Sequence, residues 1–466
     1  MRKAAGGRAL ALLTWGLALH IAVIALLFGI GQVPADTLRV VAAWKEAVVA
    51  ILVFYVVLRI PMGFGPRARV TSTDVVLGGL VTLATIFLLG SHTILDVPLP
   101  LVSQLFGFRD AIFFFALFYV GRAMPEIVDD PRTVTRIVAV GVVTSVIAVF
   151  EIAFVDPATL SLIGVSAYFN EFLNIGETTA GNAYGLPDNY WSEIGGSFVR
   201  RAGSTYLTSQ GFAIPFLIIL AAVTWRLFAD ARRGKTWWLV TYAVLWGGLF
   251  LTITRMTIVA CGIQILAALA LKKRSGALMT VVAAGLITVA GAAVVKPSVG
   301  SFIWQTLSGQ TGSNASHAKD LDNGLQAVLD RPWGAGLGTA DQTALRNGLE
   351  PLTFDNMYLK YADELGVLGF ALFVGTLCTI LVKARGLALR GSTPERRWVG
   401  GVVYLATIGI FINGLTSDVF NSPWLSYVYC WLSGSVITVA QREREAERGA
   451  EAVVEIAAIP GDVAYG

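Results

Sequence analysis

Arginine carries a permanent charge on a planar fork of N–H donors, and that fork matches the oxygens of a phosphate. Arg201 and Arg255 each stand just ahead of an apolar run with no acidic neighbour. Helix N-termini already favour anions, so both positions suit a negatively charged ligand. Arg200 competes for the first role. Lys45 and Arg109 lie about two turns inside the outer ends of other apolar runs. Each has an acid beside it (Glu46, Asp110), so an ion pair or a snorkelling side chain explains them equally well. Glu151 is a further partner within reach of Lys45. Arg331 lies in a polar stretch, 296–361, which also holds two proton acceptors, Asp355 and His317. The imidazole titrates near neutrality. Asp355 directly precedes an apolar run and equally fits a helix N-cap, and His317 equally fits a solvated loop. Asn356 and Tyr358 follow as candidate substrate contacts. Asp363 and Glu364 read as helix-dipole partners at the start of the next span. Gly334, Gly336 and Gly338 suit a tight turn or close backbone approach. No Cys/His cluster occurs, so no metal and no cofactor are expected.

These residues need a membrane scaffold. Hydrophobic residues make up 55% of the chain and charged ones 14%, and the mean hydropathy is +0.67. A soluble domain carries about 25% charged residues, so the composition is that of an integral membrane protein, with no nucleic-acid partner implied. Cys261, Cys378 and Cys430 all fall in apolar segments and imply no disulfide framework. The first apolar run reaches about residue 30, too long for a signal-peptide core, and reads as a retained span.

A span needs about 20 apolar residues. Twelve runs approach this, near 9–30, 39–60, 74–91, 103–122, 133–155, 209–228, 236–254, 256–271, 276–296, 363–382, 398–415 and 420–440. Most of the 35 Lys and Arg then cluster on one side, including Arg59, Arg67 and Arg69, Lys272 to Arg274, and Arg396 and Arg397. The positive-inside rule makes that side cytoplasmic, with both termini there. The expected fold is an all-α integral membrane protein of about twelve transmembrane helices with two long external loops. It divides into a five-span bundle (1–155), a first external loop (156–208), spans six to nine (209–296), a large external catalytic loop (297–362), spans ten to twelve (363–440) and a cytoplasmic tail (441–466). About 65 polar residues far exceed what a helix connection requires, which marks the second loop as the working part. The first loop mixes aromatics and acids (Tyr168, Phe169, Phe172, Glu177, Tyr190, Trp191), which suits sugar rings or an interfacial aromatic belt. Lys45, Arg109, Arg201 and Arg255 all fall near the outer interface, where together they could line an anion site.

Four segments resemble the O-antigen ligase and Wzy-type polymerase superfamily. RAGSTYLTSQGFA (201–213) resembles its Arg-x-x-Gly-Thr-Phe segment, and LTITRMTIVACGIQIL (251–266) its Thr-x-Ser-Arg hairpin leading into a span. NGLQAVLDRPWGAGLGTA (323–340) resembles its helix followed by Pro-x-Gly-x-Gly-x-Gly. DNMYLKYADELGVLGF (355–370) resembles its His-Asn-x-Tyr-Leu segment with a following Glu-x-Gly-x-x-Gly. Order and spacing agree over about 200–380; the first five spans agree in hydropathy only.

The resemblance implies a GT-C-like architecture in the bacterial cytoplasmic (inner) membrane, with an active site on the outer face. It implies an undecaprenyl-diphosphate-linked glycan as substrate, in contact with membrane lipid, and a flippase and chain-length regulator as companions. The family's two arginines fall on Arg201, or Arg200 by a one-residue shift, and Arg255. Asp355 stands where the family has His, a departure that leaves His317 in contention as base. Asp-Asn here tilts the expectation from ligase towards polymerase of surface or exopolysaccharide. A lipid-linked oligosaccharide flippase is the remaining alternative. Such transporters show paired halves and midplane sites, whereas the unusual charges here lie at one face.

Overall fold

The computed structural model describes residues 2–59, 69–94, 99–173, 184–194, 197–229, 235–273, 312–340, 344 and 356–457. The first half holds α1 (Arg2–Gly29), α2 (Ala35–Ala42), α3 (Trp44–Arg59), α4 (Ser72–Ile94), α5 (Leu101–Ala111), α6 (Ala116–Ala123) and α7 (Arg132–Phe154). A short α8 (Pro157–Leu162) and a hairpin of β1 (Trp191–Ile194) and β2 (Ser197–Arg200) lead to the second half. There follow α9 (Ser209–Ala213), α10 (Phe216–Ala229), α11 (Lys235–Leu251), α12 (Arg255–Leu271), α13 (Gly312–Asp330), α14 (Met357–Arg390), α15 (Pro394–Asn413) and α16 (Pro423–Ala457).

The protein is an all-α membrane protein apart from that hairpin. Six described helices are long and apolar enough to cross a bilayer, or seven if α5 and α6, bent by 43°, form one span. This is fewer than twelve. The shorter α11 and α12 fall on two further expected spans, and 276–296 lies outside the described residues.

The core is built around α10. Every residue from Phe216 to Val223 is buried, as a helix apolar all round must be. It packs between α7, α12 and α15. Elsewhere glycine brings backbones together, the usual device where lipid supplies no hydrophobic drive between helices. A Cβ on Gly434 of α16 would sit 1.9 Å from the Phe118 carbonyl of α6, and one on Gly121 would sit 2.1 Å from that of Trp431. The same face of α16 reaches α1, where Trp424 Nε1 donates to the Thr14 carbonyl at 3.0 Å.

At one end of the bundle Arg122 is buried and pairs with Asp74 at 2.9 Å, while Arg396 joins Asp129 to Glu443. There α16 runs on as one helix to Ala457.

The first-loop aromatics form a satellite core instead of an open platform. Tyr168, Phe169 and Tyr190 are buried against Ile24 and Leu38. Their ring faces are therefore taken up by packing.

Candidate functional site

The two arginines meet at a strained junction. The Arg201 main chain donates to the Tyr190 carbonyl (2.8 Å) and Ala202 N donates to that of Leu251 (2.9 Å). This lays 200–208 along the turn between α11 and α12. The Arg201 fork then closes on that turn, with Nε donating to the Thr252 carbonyl (2.8 Å) and Nη2 to Thr254 Oγ1 (3.0 Å). Arg255, the first residue of α12, is close enough to depress Arg201 electrostatically. Burial first, and Arg255 second, pull the Arg201 guanidinium down to about 10, which leaves it charged at neutral pH.

Three non-glycine residues flank the pair with left-handed backbone: Ser204 (φ 49), Leu207 (φ 54) and Ile253 (φ 52). A β-branched residue there is a steric outlier. Such strain persists where surrounding structure enforces it, often at functional sites.

Arg200 has a different role from its neighbour. It pairs with Glu151 at 3.2 Å and also donates to the Val155 carbonyl. Glu151 in turn accepts from Ser204 N at 2.6 Å. Glu151 is thus the partner of Arg200, not of Lys45, and it is Arg201 that Arg255 acts on electrostatically.

The start of α14 is tied to the first turn of α12. In the first turn of α12, Thr257 Oγ1 accepts from Asn413 Nδ2 at 2.6 Å. The next residue, Gly414, offers its carbonyl to Met357 N, the first residue of α14 (3.0 Å). Arg255 and Asn356 therefore flank one interhelical joint. Asn356 caps α14, its Oδ1 accepting from Tyr358 N (2.9 Å) and Leu359 N (3.2 Å) while Nδ2 donates to the Leu415 carbonyl. The helix cap weighed for Asp355 thus belongs to Asn356. Tyr358 donates its hydroxyl to the Phe411 carbonyl (2.7 Å), and Lys360 forms a buried ion pair with Asp418 (2.6 Å). Asn356 and Tyr358, candidate substrate contacts, are engaged in building the joint. Asp355 lies outside the described residues, and His317 falls within α13.

Asp363 and Glu364 are not at a helix start. They end the first segment of α14, which breaks at Gly366 (φ 72, ψ 179). The glycine-rich stretch after α13 docks on this break. Ala335 N and Gly336 N donate to the carbonyls of Asp363 and Glu364, Val367 N donates to that of Pro332, and Gly338 N donates to Glu364 Oε1 at 3.1 Å. Arg331 acts electrostatically on Asp363 at the foot of this loop. Gly338 (φ 79) also touches α5, where a Cβ would lie 2.2 Å from the Ser103 carbonyl. These glycines serve backbone-on-backbone docking.

Lys45 and Arg109 form a second group. Lys45 pairs with Glu46 (3.3 Å) and Arg109 with Asp110 (2.8 Å), and the two cations are near enough to interact. Among the described residues, Lys45 interacts electrostatically with Arg109, and Arg201 with Arg255. Asn413, Thr257, Gly414 and Asp418 escaped sequence reasoning. Each is an ordinary polar or small residue at a span end, and only tertiary contact distinguishes it.

Residues 240–374 match the family model described as O-antigen ligase, a segment that contains Arg255, the glycine-rich loop and the start of α14. No curated protein matches the chain.

Proposed function

We propose that this chain, of the O-antigen ligase and Wzy-type superfamily, is a polymerase of undecaprenyl-diphosphate-linked repeat units at the outer face of the cytoplasmic membrane. The observation that carries the reading is the joint described above. Arg201 is clamped to the turn that presents Arg255, and α12 is tied through Thr257, Asn413 and Gly414 to the helix beginning at Asn356. That arrangement ties the turn carrying the two cations to the start of α14, which Asp355 precedes in sequence.

In the proposed step an acceptor hydroxyl oxygen attacks the anomeric carbon of the donor glycan. The bond from that carbon to the diphosphate oxygen breaks, and its electron pair leaves with the diphosphate. The hydroxyl proton passes to the Asp355 carboxylate, with His317 the alternative acceptor. Charge accumulates on the departing diphosphate, where preorganised forked donors act most strongly. Arg201 and Arg255 have that task. Lys45, Arg109 and Arg331 contribute positive potential, and Arg200 positions Arg201 through Glu151. No metal is required, because the arginines supply the neutralisation.

Ligase activity, which the family description favours, differs only in acceptor. Purified protein in lipid, given an undecaprenyl-diphosphate repeat unit alone, is expected to lengthen it. Failure to do so, with transfer seen only when lipid A core is added, would overturn the polymerase reading in favour of ligase.

A further inference from the structure

Two basic residues at the end of the bundle expected to face the cytoplasm meet at one point. On α14, Val382, Gly386, Leu389 and Arg390 recur at helical spacing and share a face. Opposite them on α16 stand Ala440, Glu443, Arg444 and Glu447. Between the two helices lies a shallow groove of about 20 Å³. Gly386 supplies no side chain to fill it. A Cβ there would meet only Arg444 Nη2 at 3.5 Å and Arg390 Nη2 at 3.9 Å. Two guanidinium groups thus converge on the space that the glycine leaves. Among the described residues, neither has a hydrogen bond or an ion pair. Like charges brought together repel, and Lys383, one turn earlier on α14, is near enough to Arg444 to add to that repulsion. Of the two acids on the groove, Glu443 is spent on Arg396 (3.1 Å) and on the Ser392 hydroxyl (2.6 Å). Glu447 is left against the two arginines and Lys383, so the groove keeps a net positive charge. The dipole of α14 accounts for a cation at its last residue, Arg390, but not for the approach of Arg444 from another helix.

The size, charge and level of the groove define its occupant. A volume of about 20 Å³ is little more than one water requires, so it admits the oxygens of a compact anion and no chain. Two forked donors suit a phosphate, whose oxygens accept at about 2.7–2.9 Å. At this level α14 ends before GSTPERR, and α16 passes from VITVA to QREREAER, as spans do on reaching the headgroups. Val382 and Leu389 are exposed on the same face as Gly386, an apolar flank along which an acyl chain can lie. We propose that the groove seats the phosphate of a phospholipid of net negative charge, such as phosphatidylglycerol, shared between Arg390 and Arg444. A zwitterionic lipid is a poorer fit, because its own ammonium cancels the charge that the groove attracts. The seat is independent of the transfer reaction proposed above. Bound there, the lipid would join the end of α14 to α16.

Native mass spectrometry of the full-length protein, given phosphatidylglycerol and phosphatidylcholine with identical chains, counts the lipids that stay bound. The first phosphatidylglycerol is expected to bind about fivefold or more tightly than the first phosphatidylcholine, the factor that one basic residue at headgroup level contributes. Arg390→Gln and Arg444→Gln should each erase most of this preference. Arg132→Gln removes an exposed cation at the same end of the bundle and should leave it unchanged. Gly386→Leu fills the groove with both arginines intact and should also erase the preference. Only the tips of two flexible side chains must move to admit it, so the helix is expected to fold. Equal binding of the two lipids overturns the proposal, and so does a preference that survives both arginine variants. A preference lowered just as far by Arg132→Gln shows general attraction to a basic surface and removes the seat. Inorganic phosphate and glycerol 3-phosphate serve as competitors, and neither is expected to displace the lipid. If either does so as readily as further phosphatidylglycerol, the groove is a site for free phosphate and the lipid proposal falls.

Discussion

Arg201 spends both sides of its fork on the turn before α12, so its charge is held in a fixed frame. Fixing that frame beforehand is what makes an electrostatic group effective in a transition state. Arg201→Ala and Arg255→Ala are each expected to lower polymer synthesis by about 10²–10³-fold with protein level near wild type. Lys at either position should rescue partly, since it restores charge without the fork. Full activity in Arg255→Ala would remove that residue from the mechanism. The capping role of Asn356 separates two effects at the neighbouring Asp355, the proposed base. Asp355→Asn should remain stable and lose about 10²–10⁴-fold in rate. Asn356→Ala should instead lower thermal stability, by about 1 kcal/mol, through loss of the cap. Normal polymerisation by Asp355→Asn together with failure of His317→Ala would move the base to His317.

At the scale of elements, the glycine-rich loop and the break in α14 form one unit. The break leaves main-chain groups of α14 without helical partners, and the loop's amides and the Pro332 carbonyl satisfy them. Irregular backbone at membrane depth is tolerated only when paired in this way. Gly338→Ala adds a side chain at positive φ against the Ser103 carbonyl, and is expected to destabilise the protein by more than about 1 kcal/mol and lower its yield. Unchanged thermal stability in that variant would show that α5 and the loop separate freely.

Hydropathy placed the long apolar helices, because an apolar run is written locally, but not α8 or α13, which lie in stretches expected as external loops. The breaks at Gly366 and between α5 and α6 were illegible, since DELGVLGF and GFRDAIFFF read as continuous apolar helix. Arg201 and Arg255 were legible as cations without acidic neighbours, and the motif resemblance set them together. The joint through Asn413 and Thr257 was not legible at all, because 156 residues separate its partners.

For the whole molecule, the twelve-span arrangement expected from the sequence, with both termini cytoplasmic, makes a simple forecast. Reporter fusions after Gly312 and after Gly391 should report opposite sides, external and cytoplasmic. Two reporters on the same side would separate the arginines from the loop and dissolve the site. The bond from Trp424 to Thr14 links residues 410 positions apart, and the backbone contact of Gly434 with Phe118 spans nearly as far. The last helix is therefore the keystone of the first ones. A nascent chain threads its early spans into the bilayer long before α16 is synthesised, and until then α1 and α6 present to lipid the faces shaped to receive it. Assembly is in this sense a circle closed by its final stretch. A chain released before Pro423 would leave that circle open, and the membrane's proteases would meet the N-terminal spans as an unfinished substrate.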